Sequence, residues 1–289
     1  MIRRLAVVQQ LAWLAGCLCS AVALRAQNPA AAPFNKDGTS IAISEPLVSD
    51  RPGFGDGANI LSAGTIQMES GWSLSNQSEG NVVERTFVAG SPLFRVGLGH
   101  RTELRVGGDG FLLYAQRVGN VLERVAGAAD YSVGVKYALV SEKGLRPALT
   151  LIPLVSLPSG HRFFTSGGFD PTVKLAWSKS LGNNAALSGN VSVSSVSDSR
   201  GRLGQSAASF QLSRELWCEF SGFWESYLVT PVDRNGDRVW TFDSGLSHPI
   251  GRNAQFDISA GQQISPLARS WFISAGLVVR YSALRTTRR

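Results

Sequence analysis

The chain has 289 residues with 28 basic and 21 acidic side chains, but Arg3, Arg4 and Arg25 belong to a leader, and without them 25 bases face 21 acids. That mild excess, with no Lys/Arg cluster interleaved with aromatics, argues against nucleic-acid binding. Charged residues make up only 17% of the sequence, against roughly 25% in soluble domains, which suits a molecule whose outside faces hydrocarbon.

In chain order, Met1-Ile2-Arg3-Arg4 and the apolar stretch Leu5 to Leu24 read as the basic and hydrophobic regions of an export signal, residues 1–26. Ala21-Val22-Ala23 offers one cleavage site, and a cut after Ala26 leaves Gln27 as the new terminus. Two competing readings are a retained membrane anchor, because the stretch has about the length of a minimal spanning helix, and lipidation of Cys17 in Leu14-Ala15-Gly16-Cys17. Loss of Cys17 and Cys19 strands Cys218 without a partner in an oxidising compartment, so the fold uses no disulfide. Residues 27–63, rich in Ala, Pro, Gly, Ser and Asp, show neither helical nor strand period and read as an irregular periplasmic arm. Asp50, Arg51 and Asp56 are expected in that arm, as a constriction at the periplasmic mouth.

From Gly64 the pattern becomes strict alternation, with Ile66, Met68, Ser70, Trp72 and Leu74 on one face and Gln67, Glu69, Gly71 and Ser73 on the other. The final segment repeats it, with Trp271, Ile273, Ala275, Leu277, Val279 and Tyr281 against Phe272, Ser274, Gly276, Val278 and Arg280. Eleven or so residues match what a tilted strand needs to cross a bilayer, and exceed the strands of soluble sheets. Twelve such segments lie between residues 64 and 281, among them 85–98, 101–114, 125–139 and 217–228. Connections after even strands are short; those after odd strands, including 75–84, 115–124, 158–169, 198–204 and 229–238, carry loop residues. An even count, short turns alternating with long loops, and both termini on the short-turn side predict an all-β fold: a single antiparallel up-and-down transmembrane β-barrel of about 12 strands in the bacterial outer membrane. Residues 282–289 form a basic tail. Trp72, Tyr114, Tyr131, Trp240 and Trp271 form one expected aromatic girdle, and Tyr137, Trp177 and Tyr281 the other. The competing fold is a soluble sandwich or barrel.

The polar parity assigns Glu69, Glu103, Asp109, Asp130, Glu219, Glu225, Asp243 and Asp257 to the lumen, together with Arg95, Arg105, Lys136, Lys174 and Arg280. Buried charges must be paired or hydrated, so this lumen is a salt-bridged plug or a water-filled path. Ser188, Asn190, Ser192 and Ser194 offer contacts for a neutral solute. No catalytic constellation emerges: His100 and His248 fall in turns, and Ser159-Gly160-His161 lacks an orienting acid. Asp233 to Arg238 begins like a calcium loop, but Arg238 stands where its glycine belongs. No metal and no cofactor are expected.

Ser49-Asp50-Arg51-Pro52-Gly53-Phe54 and Leu61-Ser62-Ala63-Gly64-Thr65-Ile66-Gln67-Met68-Glu69-Ser70-Gly71-Trp72 resemble the opening of the outer-membrane transporters labelled MetA-pathway of phenol degradation. Phe256 to Gly261, followed by Trp271 to Leu277, is similar to that family's closing hairpin, and Asp243-Ser244-Gly245-Leu246 to the strand before it. The resemblance spans about residues 45–281 and implies passage of small solutes, aromatic or apolar compounds among them. One departure is Tyr281, which does not end the chain as a terminal aromatic does in many outer-membrane strands. The expected partners are outer-membrane lipid, a small-molecule solute and the outer-membrane assembly machinery. The rival functions are a structural or surface-interaction barrel with a closed lumen, and a membrane-embedded hydrolase.

Overall fold

The computed structural model describes residues 46–182, 184–264 and 269–282. The export signal, Cys17, the first part of the arm and the tail after Ser282 lie outside the described residues. The regular elements described are all strands: β1 (Thr65–Glu79), β2 (Val82–Ala89), β3 (Leu93–Gly97), β4 (Thr102–Gly108), β5 (Phe111–Val118), β6 (Val121–Ala128), β7 (Tyr131–Val140), β8 (Ala148–Leu157), β9 (Asp170–Ser180), β10 (Ala185–Asp198), β11 (Gly201–Glu215), β12 (Ser221–Thr230), β13 (Val239–Ile250), β14 (Ala254–Gln263) and β15 (Arg269–Ser282). They form one antiparallel sheet, and β15 returns to β1 in register from Thr65↔Ser282 to Ser78↔Arg269, which closes it into a barrel.

β1 pairs with β3 along its lower half and β2 along its upper half, and β4 and β5 continue the two levels. Thus β2/β3, β4/β5 and β6/β7 are each one barrel strand broken midway, and fifteen segments make the twelve expected strands. The breaks at Gly90-Ser91-Pro92, Asp109-Gly110 and Ala129-Asp130 form one crease, tied by Ser91 N donating to Gly71 O at 3.0 Å, Gly108 N to Pro92 O at 3.0 Å and Ala129 N to Gly110 O at 2.9 Å. Pro92 has no N–H for a ladder, so a strand cannot continue through it. Each break also switches side-chain parity. Below it Arg95, Glu103, Arg105 and Lys136 are buried; above it Val88, Leu112 and Tyr114 are buried, while Phe87, Phe111 and Leu113 are exposed.

Three of the expected outer loops are strand instead. Segments 75–84, 115–124 and 198–204 are extensions of the β1–β2, β5–β6 and β10–β11 hairpins, each closed by two residues. Gly80 (φ 56°) and Gly119 (φ 58°) lead two of these turns, each followed by Asn, the pattern that matches the strands' twist. Above the crease β6 has no second strand partner, and the 158–169 loop lies there, with His161 N donating to Ala128 O at 2.8 Å.

Outward faces are apolar: Met68, Trp72, Phe94, Leu113, Val191, Phe210, Trp271, Ile273 and Leu277 are exposed, as lipid-facing side chains must be. Tyr114 departs from the expected girdle. It is buried inside, donates to Glu84 at 2.9 Å, and joins Val88, Leu112, Ala129, Phe164 and Phe272 in an inner apolar cluster with Phe163 and Val125 packed against it. Burying each such large side chain contributes about 1.5–3 kcal/mol, which fixes the inward loop.

Candidate functional site

The arm does not sit at the mouth, as the sequence reading expected; it crosses the inside of the barrel. Its backbone forms no strand, so its buried N–H and C=O groups must find partners in the wall or in the arm's own side chains, as Arg51 N does on Ser49 Oγ and Gly57 N on Asp50 Oδ1. Arg280 Nη1 donates to Pro46 O at 3.0 Å, Gln67 Nε2 to Val48 O at 2.8 Å, and Asp50 N to Glu69 at 3.1 Å. Further along, Phe54 N and Gly55 N donate to Glu225 at 2.5 and 2.9 Å. Asp56 N and O bond to the Asn190 amide at 2.9 and 2.7 Å, Thr150 Oγ1 donates to Ala58 O at 2.5 Å, and Leu61 N donates to Glu103 at 2.9 Å. Contacts on β1, β4, β8, β10 and β12 thus fasten one irregular segment from all round the wall.

Ion pairs carry the same pattern. Arg51 holds Asp257 through Nε at 3.1 Å and Nη2 at 2.9 Å, a two-pronged bond of the strong kind. Its guanidinium lies against Gly71 and Gly276, which face each other across β1 and β15; a Cβ at either would overlap it. Asp50 accepts from Lys136 at 2.9 Å and from Arg105, with Arg95 at 3.3 Å. Arg95 in turn bonds Glu103 at 2.7 Å and Glu69 at 2.8 Å, and Asp56 is held by Arg105 and Lys174, both at 2.7 Å. Arg51, Arg95, Lys136 and Asp50 are each 0% exposed, so charge must be matched locally, because desolvating an unpaired ion costs several kcal/mol. Burial alone would raise the Asp50 carboxyl, but Arg95, Lys136 and Arg105 around it hold it well below the ordinary carboxylate value. Asp56 is likewise lowered, Lys174 and Arg105 outweighing burial.

Above the arm lies a cavity of about 160 Å³ floored by Phe54 and Asp56. Pro92, Leu93, Leu154, Val196 and Val229 line it intermixed with Ser132, Ser156, Thr172, Ser192 and Ser194, and Arg105, Lys174, Asp109 and Asp130 add charge to the same wall. Phe54 stacks flat on Tyr227, centroids 4.1 Å apart.

Of the residues assigned to the lumen from the sequence, Glu69, Arg95, Glu103, Arg105, Lys136, Lys174, Glu225 and Asp257 converge on the arm, and Arg280 holds its first described residue. Asp109 and Asp130 line the cavity. Asp130 also ties down the 158–169 loop, accepting from Gly160 N at 2.8 Å, Ser166 N at 3.0 Å and Thr165 Oγ1 at 3.1 Å. Asp243 is buried opposite Glu225 in the register. Glu219 is a correction: it is exposed in the turn before β12 at φ 65°, next to Cys218 at φ 49°. The expected strand 217–228 began too early, because Leu216 N donates to Phe220 O at 2.8 Å and closes a turn there. Asp170, missed from the sequence, is buried and accepts from Ser197 N at 2.7 Å; it shares the parity of Lys174, which was signal enough. Ser159 Oγ accepts from Tyr131 N at 2.9 Å and lies 3.3 Å from Leu157 O, so its hydroxyl is engaged in the loop.

Fold and interior together define an outer-membrane β-barrel with an occupied lumen. The chain belongs to the family described as MetA-pathway of phenol degradation, whose model matches residues 49–281. No curated protein matches it. Among solved structures it is similar to an outer membrane channel from Pseudomonas putida F1, at TM-score 0.60 and 12% identity over 78% of this chain and 98% of that one. It is also similar to the translocator domain of the autotransporter NalP from Neisseria meningitidis, at TM-score 0.52 and 7% identity over 75% and 88%. At these identities the likeness is one of fold.

Proposed function

We propose that the protein is a passive outer-membrane channel for small solutes, and that the segment from Ser49 to Leu61 is its gate. The observation that carries this is the arm itself: a hydrogen-bonded plug across the lumen, below a cavity facing the long-hairpin side. A cavity of about 150 Å³ has the size for one benzene ring, and here apolar and hydroxyl side chains share the wall, so contacts for a ring and for one polar substituent are both present. A single-ring compound with one hydroxyl matches this mixed lining in size and chemistry, in keeping with the phenol of the family's description. Passage through the barrel is in keeping with its likeness to the Pseudomonas putida channel. No step of bond chemistry is assigned, and the assembly machinery has only to insert the barrel.

A second route deserves a test. The cavity is lined at the crease by Ser91, Pro92, Gly108 and Asp109, beside the β6 edge that a loop covers in place of a strand. A solute could leave there, sideways, with the arm still docked. The experiment is conductance and solute uptake in proteoliposomes for the wild type and for Asp50→Ala/Arg51→Ala, which removes two of the arm's ion-paired side chains. Conductance well above wild type in the variant supports the gate. Solute uptake by wild type with no change on unlatching selects the sideways route, and a variant that neither conducts nor takes up solute overturns the channel reading.

A further inference from the structure

The parity switch at the crease has an electrostatic result on the outside of the barrel. In continuous alternation Arg85 and Arg117 would share the inner face with Arg95 and Arg105, and Arg124 with Lys136. Because each strand is broken between them, all three turn outward. The register sets Asn76, Arg85, Ala115 and Arg124 in one outward row across β1, β2, β5 and β6, and Ser78, Val83, Arg117 and Leu122 in the next row up. Across β15, Trp271 and Arg269 extend the two rows. Arg85, Arg117, Arg124 and Arg269 are all exposed. Arg85 is hydrogen-bonded to Asn76 at 3.2 Å, and among the described residues none of the four forms an ion pair.

The acids of the same strands point the other way. Gln77, Glu84, Gln116 and Glu123 form the matching inward row, with Glu84 accepting from Tyr114 and Gln116. The outer face of these hairpins is therefore basic without acid, and it begins one row above Ile273, Leu74, Phe87 and Leu113 of the lipid-facing band. Ala115 is the small floor between the arginines. Strands are about 4.8 Å apart, so Arg85 and Arg124 stand roughly 10 Å apart on either side of it, with Arg117 about 7 Å further up β5. All three side chains can converge on one tetrahedral anion over Ala115, and a guanidinium fork suits phosphate.

We infer that this arginine triangle, at the outer rim of the apolar band, is a docking site for the phosphate groups of lipopolysaccharide, the anionic glycolipid of the outer leaflet. The position chooses the ligand: a phosphate held at the hydrocarbon boundary with acyl chains lying on Phe87, Phe111 and Leu113 is a glycolipid headgroup. Its function is to seat the protruding hairpins, and with them the crease, at a fixed depth in that leaflet.

The test is binding of lipid A carrying both phosphates, and of the same lipid A after phosphatase treatment, to the full barrel in detergent, read by native mass spectrometry. Wild type is expected to hold the phosphorylated lipid at least tenfold more tightly. Arg85→Gln/Arg117→Gln/Arg124→Gln is expected to lose that preference while keeping the heat-modifiable gel mobility of a folded barrel, and Ala115→Glu to lose it by one substitution. Arg146→Gln, on the short-turn side, is expected to keep it. Equal binding of both lipids by wild type overturns the proposal whether or not the variants fold. So does retention of the preference in the folded triple variant, or equally tight binding of phosphatidylglycerol.

Discussion

The lower and upper tiers of the same barrel are filled by opposite chemistry. Below the crease the interior is ionic: Arg51, Arg95, Arg105, Lys136 and Lys174 interlock with Asp50, Asp56, Glu69, Glu103 and Asp257. Above it, on the β2–β5–β6 side, the interior is Val88, Leu112, Tyr114 and Phe164. The lower filling is a segment whose attachment is almost wholly polar, and the upper is a loop held by apolar burial of Phe163 and Phe164 as well as by the Asp130 hydrogen bonds. A polar attachment exchanges readily with water once one link goes, whereas an apolar one holds until its area is exposed. The difference makes the lower tier the part able to open, and the upper tier the rigid frame of the cavity.

The comparison breaks most severely at Arg95, a cation that touches Asp50, Glu69 and Glu103 together. Arg95→Ala leaves three buried carboxylates short of a partner, and losing one side of such a network costs about 3–5 kcal/mol. If the arm is the releasable part, that cost is relieved by undocking: conductance rises while the barrel and its upper apolar cluster stay folded, measured as single-channel steps beside tryptophan fluorescence on urea unfolding. A silent channel with global destabilisation would mean the arm is permanent structure. Next is the contrast between Leu277→Arg and Ser274→Arg. Leu277 faces lipid and Ser274 is buried, its Oγ 3.4 Å from Arg51 Nη2. Arg at a lipid-facing midplane costs about 2–4 kcal/mol, so Leu277→Arg is the less stable on reversible unfolding from liposomes. Ser274→Arg places a second guanidinium on Arg51 and is expected to open the lumen with little loss of barrel stability.

Why the arm was hidden in the sequence while the barrel was not follows from periodicity. β15 alternates without error, Phe272, Ser274, Val278 and Arg280 buried against exposed Trp271, Ile273 and Leu277, because a period of two has no slack. The arm has no period, so its place depends on partners far along the chain. Two signals were nevertheless readable. Gly71 and Gly276 on the polar parity of strands mark a close approach by something, and that something is Arg51. Pro92 inside the segment 85–98 marks an interrupted ladder, and with it the parity switch that alternation read straight through would miss. Glu219 failed for a local reason, the turn that Leu216 N closes on Phe220 O with Cys218 and Glu219 at positive φ where strand was expected.

Acid supplies a milder way to separate the tiers. Asp50 and Asp56 have carboxyls lowered in the docked state, so docking is fully favoured above the ordinary carboxylate value of about 4 and is lost only as pH falls through the lowered values. The upper cluster, Val88, Leu112, Tyr114, Ala129, Phe164 and Phe272, has Tyr114 as its one ionisable member. If Asp50 and Asp56 set the release, conductance stays flat from about pH 8 to about pH 5 and rises only below about pH 4, in steps recorded on one bilayer by perfusion. A rise between pH 5 and 7 would show that a wall carboxylate such as Glu225, which accepts from Phe54 N and Gly55 N, lets the arm go before these two aspartates do.

The smallest effect is expected where the two tiers touch. Phe54 belongs to the arm, yet it forms the cavity floor and stacks on Tyr227 of β12 with ring planes 4° apart. Offset or parallel aromatic pairs contribute about 0.5–1.5 kcal/mol beyond their burial, so Phe54→Ala loosens the arm by less than any loss of charge. It also removes the one aromatic surface from the floor. If the cavity receives a ring, its affinity for a single-ring hydroxylated compound falls severalfold while conductance barely changes, and Phe54→Leu, which keeps the arm's apolar contact, shows the same affinity loss. Phe54→Leu restoring full affinity would mean that the floor supplies bulk alone and that ring stacking plays no part in selecting the solute.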